Sequence, residues 1–195
     1  MATVLEPKKG FYQGVDVLDV TSLYPTIAIL YNISFDTINC WCCRDNPKTK
    51  VDEKITKDCK FEKEYWICQL KEGAFSKKLK IFREERLKEK RNGNNNIAKQ
   101  LALKVLINGG YEVFGSNSFI YHDKRVAELI TALGRYTLDS MQEIAKEKGF
   151  EVVVGDTDSL FLLYNSNNNS GREDTSRLQV YCAVKAYIII SIWFN

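Results

Sequence analysis

A chain of 195 residues with 45% hydrophobic and 27% charged residues has the composition of a globular protein, neither disordered nor membranous. Its length fits one domain, or one domain with an insertion. The net charge of +3 neither demands nor forbids a polyanionic partner, so the local distribution of charge matters more than its total.

No apolar signal-type run occupies residues 1–10, and the apolar stretch 183–194 is interrupted by Lys185. It is also shorter than the roughly 20 residues a spanning helix needs. The expectation is a cytoplasmic protein (nucleoid-associated if prokaryotic) with no membrane partner and with its six cysteines reduced.

In chain order, residues 15–20 alternate as a strand, with Val15, Val17 and Asp19 on one face. Pro25 stands where it opens the first turn of a helix through Ile27, Leu30 and Tyr31. Residues 40–72, rich in cysteine and lysine, read as short strands and loops. Residues 76–91 are helical and basic, with Lys77, Lys78, Lys80, Arg83, Arg86, Lys88, Lys90 and Arg91. The breaker run 91–96 predicts a turn and residues 97–108 a second helix, an antiparallel helical hairpin. Residues 125–148 form an amphipathic helix on Val126, Ile130, Leu133, Met141 and Ile144, ended by Gly149. Residues 150–154 and 160–163 are β-rich runs around a short acidic turn, and 165–171 is a polar loop. Strand, helix, helical hairpin, helix and strand-turn-strand predict an α+β fold with a two-helix insertion, without internal repeats.

Aspartates at the ends of apolar strands cost energy to desolvate. Asp19 ends one such strand, while Asp156 and Asp158 crowd one turn. Like charges held that close raise each other's pKa and are best tolerated with a cation between them. Magnesium suits such a set, since it uses one or two carboxylates and keeps sites for water and phosphate. The bland alternative is that Asp156-Thr157-Asp158 serves only turn chemistry.

Arg86 and Lys90 share a helix face, as do Lys104 and Asn108, with Tyr111 one turn further on. Two lysines, an arginine fork and an amide suit a triphosphate. Their alternative is a solvated charged face paired with Glu84, Glu85 and Glu89. Cys40 and Cys43 have CxxC spacing, and Cys59 and Cys68 complete a candidate four-thiolate zinc set, against thiols that pack as small hydrophobes. His122, in a loop, reads as structural or solvated.

These residues carry a family resemblance. Asp19-Val20-Thr21-Ser22-Leu23-Tyr24-Pro25-Thr26-Ile27 resembles motif A of the family-B DNA polymerases, and Lys104-Val105-Leu106-Ile107-Asn108-Gly109-Gly110-Tyr111 resembles their motif B. Gly155-Asp156-Thr157-Asp158-Ser159 resembles motif C, and Gly73-Ala74-Phe75 the start of the fingers. The resemblance spans about residues 10–164 and is archaeal in type.

It implies a polymerase palm, an antiparallel sheet with packed helices, carrying a two-helix fingers insertion. The palm would occupy residues 1–72 and 110–164 and the fingers 73–109, leaving an atypical tail at 165–195. By resemblance Asp19, Asp156 and Asp158 are catalytic, with Asp19 and Asp158 ligating two magnesium ions. Leu23, Tyr24, Arg86, Lys90, Lys104 and Asn108 bind the deoxynucleotide, with Tyr24 under the sugar and Tyr111 on the side of the template and nascent pair. Primer-template DNA and deoxynucleoside triphosphates are the implied partners.

The chain also departs from the family pattern. Glu112 stands where the family has glycine, Gly109 and Gly110 loosen a helix end, and Val154 replaces a bulkier residue. Exonuclease and thumb regions do not fit in this length. The expectation is therefore a truncated or split chain, relying on other polypeptides for those parts and extending a primer slowly or not at all by itself. A catalytically inactive remnant or accessory nucleic-acid-binding subunit is the alternative, and a cyclase-like enzyme a more distant one.

Overall fold

The computed structural model describes residues 4–5, 9–20, 22–91 and 96–164; the expected turn at 92–95, polar loop at 165–171 and apolar tail lie outside them. The chain divides into two compact units, Met1–Thr21 with Gly134–Asn195, and Ser22–Leu133.

The first unit is built on an antiparallel sheet of β1 (Val4–Leu5), β2 (Val15–Asp19), β3 (Phe150–Asp156) and β4 (Ser159–Tyr164), in the order β1-β3-β4-β2. One face is apolar, and Leu18, Phe150, Val152, Leu160 and Leu162 pack there against Met141, Ile144 and Ala145. Those three residues lie in the C-terminal half of the long helix α5 (Lys124–Glu147), at the i, i+3, i+4 spacing that makes one helical stripe. Gly149 follows at φ 84°, a left-handed position that lets the chain reverse directly into β3.

Strict alternation along β3 would put Phe150, Val152, Val154 and Asp156 on one face. Phe150 and Val152 are in the core, so Asp156 would face it too. A bulge between Val152 and Val154 prevents this. One extra residue flips every later side chain to the other face. Beyond it Gly155 pairs with buried Leu160, while Asp156 pairs with Ser159 on the open face. Asp19 also pairs with Ser159, from the β2 side, and its strand neighbour Leu18 points into the core.

In the second unit, α1 (Leu23–Leu30) presents Ile27 and Ala28 inward. An irregular stretch follows, with single 3-10 turns, the short helix α2 (Glu53–Thr56) and isolated bridges Ile38–Ile67 and Lys50–Trp66. Helix α3 (Ala74–Arg91) is clipped to α1 by the buried Ser76 hydroxyl, 2.9 Å from the carbonyls of both Ala28 and Ile33. Gly73 precedes it because a Cβ there would lie 2.6 Å from that of Ser34.

Helix α4 (Ile97–Gly109) starts at Asn96, whose side chain accepts the Lys99 N–H. Lys99 pairs with Glu85 and Glu89 near the end of α3, and Gly110, beyond the end of α4, lies against Phe75 and Leu79 near its start. The two helices are therefore antiparallel, the expected hairpin. No helix among the described residues is long and apolar enough to cross a membrane. The α+β class is as expected, and the strand β1 is an addition that the first residues of the sequence did not suggest.

Candidate functional site

The first unit brings together the three aspartates that the sequence singles out. Across the neighbouring strands β3, β4 and β2, the residues Asp156, Ser159 and Asp19 form one row on the open face. Asp158 stands beside that row, and its carbonyl accepts the Val20 N–H at 2.9 Å. Burial pushes the Asp158 carboxyl up from its ordinary value of 3.8, and the charges of Asp19 and Asp156 add to that rise.

The turn is tight. Asp158 N–H reaches back to the carbonyl of Asp156, closing a three-residue turn around Thr157. Thr157 holds φ 44° and donates its hydroxyl to Asp156 Oδ1 at 2.9 Å. A β-branched residue in the left-handed region is strained by about 1–3 kcal/mol, and a turn selected only for turning would carry glycine or asparagine there. Turn chemistry alone therefore does not account for this segment.

In the second unit two of the three acidic partners expected for the basic helix are taken up elsewhere. Glu85 and Glu89 engage Lys99, at 3.0 and 2.7 Å. Among the described residues no salt bridge engages Arg86, Lys90 or Lys104. Lys90, Lys104 and Asn108 are exposed, whereas Arg86 is half-buried with its Nε enclosed and without a hydrogen-bond partner. A buried guanidinium nitrogen left in that state is costly, and an anion would relieve it.

The rings of Tyr24 and Tyr111 meet at 5.0 Å between centroids, a tilted pair. Burial, helped by the neighbouring Glu112 carboxylate, pushes the Tyr111 phenol up to about 12. Leu23 is buried as the first residue of α1, where the leading backbone amides have no intrahelical acceptors.

The cysteine set differs from the expected one. Cys40, Cys43 and Cys68 converge as anticipated, but the fourth sulfur is Cys42. Cys59 instead ends the turn after α2, its N–H on Thr56, on the side of Tyr65. Spacing favoured Cys59 because adjacent cysteines rarely look like co-ligands. The single 3-10 turn Trp41–Cys43 folds Cys42 back among the others.

Glu128 was not singled out by the sequence at all. Its carboxylate accepts the backbone N–H groups of Lys60 and Phe61 and the buried Tyr65 hydroxyl, at 2.6, 3.1 and 2.6 Å, and so ties the irregular stretch to α5. Its partners lie more than sixty positions away, and no local pattern announces them. His122 is exposed, with its N–H on the Phe119 carbonyl, and takes no part in any of these groups.

Comparison with known proteins identifies the family of the chain. The family model described as DNA polymerase family B matches residues 1–177. DNA polymerase 1 of Saccharolobus solfataricus is 35% identical over 86% of this chain and 20% of its own length. A DNA polymerase of Archaeoglobus fulgidus is 33% identical over 91% of this chain and 22% of its own. The solved structure of the family B DNA polymerase from Pyrobaculum calidifontis superposes with a TM-score of 0.67 at 33% identity, over 91% of this chain and 23% of that one. The chain thus spans about a fifth of the length of the relatives it matches.

Proposed function

The chain belongs to DNA polymerase family B, and from that premise we propose that it is a DNA-directed DNA polymerase core, transferring deoxynucleotides to a primer 3′ end. The observation that carries this reading is the row of Asp156, Ser159 and Asp19 with Asp158 beside it, brought to one face by a bulge in β3. Residues 1–72 and 110–164 would be two parts of a palm, 73–109 the fingers, and 165–195 a tail.

Asp19 and Asp158 would hold the divalent cations, with Asp156 in support. Three hard oxygen donors with a raised carboxyl among them fit magnesium, because a cation offsets both the burial that chiefly lifts Asp158 and the repulsion from Asp19 and Asp156. Such ions, when bound, supply the charge neutralisation that in-line phosphoryl displacement requires.

The rest of the work is binding. Arg86, Lys90 and Lys104 would neutralise the triphosphate, Arg86 through its fork and the lysines as point charges, while Asn108 donates its amide. The leading amides of α1 at Leu23 and Tyr24 add donors for phosphate oxygens. Tyr24, backed by the Tyr111 ring, would lie under the deoxyribose and exclude a 2′-hydroxyl, leaving Tyr111 toward the nascent pair. Primer-template DNA is the partner, in the cytoplasm and without a membrane.

The test is manganese binding, followed by water relaxation on the purified chain, together with single-nucleotide addition to a primer-template. Asp19→Asn and Asp158→Asn are expected to weaken manganese binding roughly tenfold or more and to abolish whatever addition the chain performs, because each removes a ligand. Unchanged manganese binding in both variants sinks the reading. Metal and DNA binding without addition would favour an accessory, non-catalytic role instead.

A further inference from the structure

Five of the six cysteines of the chain lie within residues 40–68, and the proposed polymerase chemistry uses none of them. Four of these come together: the sulfurs of Cys40, Cys42, Cys43 and Cys68 all lie within 4.8 Å of one another. Cys42 Sγ is 3.4 Å from that of Cys40, 3.9 Å from that of Cys43 and 3.5 Å from that of Cys68. Cys43 and Cys68 are 3.8 Å apart. Four thiolates tetrahedrally around zinc at about 2.3 Å stand about 3.8 Å from each other, within this range. A disulfide would need about 2 Å between two of them. An iron–sulfur cluster interposes several irons and sulfides and needs its thiolates farther apart.

The backbone around each segment is pinned. The Trp66 indole donates to the Cys40 carbonyl at 2.8 Å, and the Thr49 hydroxyl to the Cys43 carbonyl at 3.0 Å. Cys68 donates its N–H to the Thr37 carbonyl at 2.9 Å, and the Asn32 amide donates to the Cys68 carbonyl at 2.9 Å and to that of Lys71 at 2.8 Å. Asn39 adds a further brace, exchanging hydrogen bonds with Trp66 and donating to the Glu64 carbonyl. The sulfurs are therefore held together by a scaffold that does not depend on them.

We propose that Cys40, Cys42, Cys43 and Cys68 bind a single zinc ion as a structural four-thiolate site that staples residues 40–43 to residue 68.

The local electrostatics agree with this assignment. Four crowded thiols cannot all ionise without a cation, and burial together with hydrogen bonds to its three neighbours pushes Cys40 up to about 12. At Cys68 burial acts upward as well, but it is outweighed by the N–H groups of Leu70 and Lys71 and by the Cys42 and Cys40 thiols, which bring the group down to about 7. Amide donors aimed at a sulfur are the outer partners that stabilise a metal-bound thiolate. Binding would release the remaining thiol protons, so affinity rises with pH.

The test is elemental analysis of the full chain purified without added zinc, followed by cobalt substitution. The expected result is about one zinc per chain and, with cobalt, the intense thiolate charge-transfer and visible bands of a tetrahedral sulfur site. Cys42→Ser is the decisive variant, since Cys42 is exposed and its loss removes little packing. It is expected to lower zinc affinity more than about tenfold and to alter the cobalt spectrum, while Cys59→Ser leaves both unchanged. Protein with no stoichiometric metal, or a site that survives Cys42→Ser and is lost in Cys59→Ser, overturns the assignment. So does a disulfide between Cys43 and Cys68 found in freshly purified protein by mass spectrometry.

Discussion

At Asp158 a single carboxyl is more costly to ionise than in the unfolded chain, because burial and the charges of Asp19 and Asp156 all oppose its negative form. A carboxyl raised in the folded state makes stability fall as pH climbs from the ordinary value of 3.8 through the raised one, and the full penalty persists above it. Asp158→Asn should therefore raise the Tm in EDTA at neutral pH, by only about 1–2 °C since the group is partly buried and solvent still screens it. The gain should vanish below pH 3.8 and be cancelled by magnesium, which the wild type alone binds well. A Tm difference that ignores both pH and magnesium would mean the three carboxylates do not act as one site. Thr157 adds strain next to it at φ 44°, and its own hydroxyl holds Asp156. The aspartates are thus presented by a turn that is neither relaxed nor electrostatically neutral.

At the scale of elements, the two glycines that follow Asn108 play opposite parts. The sequence suggests that both loosen the end of α4. In the fold a Cβ on Gly109 meets nothing within 4 Å, whereas one on Gly110 would lie 2.7 Å from the Leu106 carbonyl and 3.4 Å from the Phe75 ring. Gly109→Ala should accordingly stabilise by about 0.5–1 kcal/mol through helix propensity. Gly110→Ala should destabilise, since backbone rather than a yielding side-chain tip blocks the methyl group. Urea denaturation of the two variants decides the matter, and the same sign for both would show that the Leu106 carbonyl does not block a methyl group at Gly110. The sequence could place the glycines near a helix end, but only the folded geometry, with the Leu106 carbonyl 2.7 Å from a Cβ on Gly110, distinguishes them.

Over the whole molecule, the modest net charge conceals a concentrated field. Eight of the 28 lysines and arginines fall between residues 77 and 91, all on α3. Binding to primer-template DNA should therefore be governed by counterion release and weaken roughly tenfold or more between 50 and 200 mM salt. Fluorescence anisotropy at a series of salt concentrations measures this, and affinity indifferent to salt would remove DNA from the proposed partners. The zinc site belongs to this scale as well. It would link residues 40–43 to residue 68, and Glu128 ties that same irregular stretch to α5. Ser22–Leu133 thus gains two cross-links where regular secondary structure is sparse.

The sequence by itself determined the α+β class, the helical hairpin, the long amphipathic helix and the family, because periodicity, breaker residues and short ordered motifs are local signals. It named Asp19, Asp156 and Asp158 but could not show that they share a face, since plain alternation along β3 turns Asp156 toward the core. The bulge between Val152 and Val154 reverses that, and a bulge depends on cross-strand pairing that one strand cannot reveal. Tertiary structure likewise exchanged Cys59 for Cys42 and brought Glu128 to Lys60, Phe61 and Tyr65. Glu128 meets Lys60 across 68 positions and Cys42 meets Cys68 across 26, so there the residue types were legible and their convergence was not.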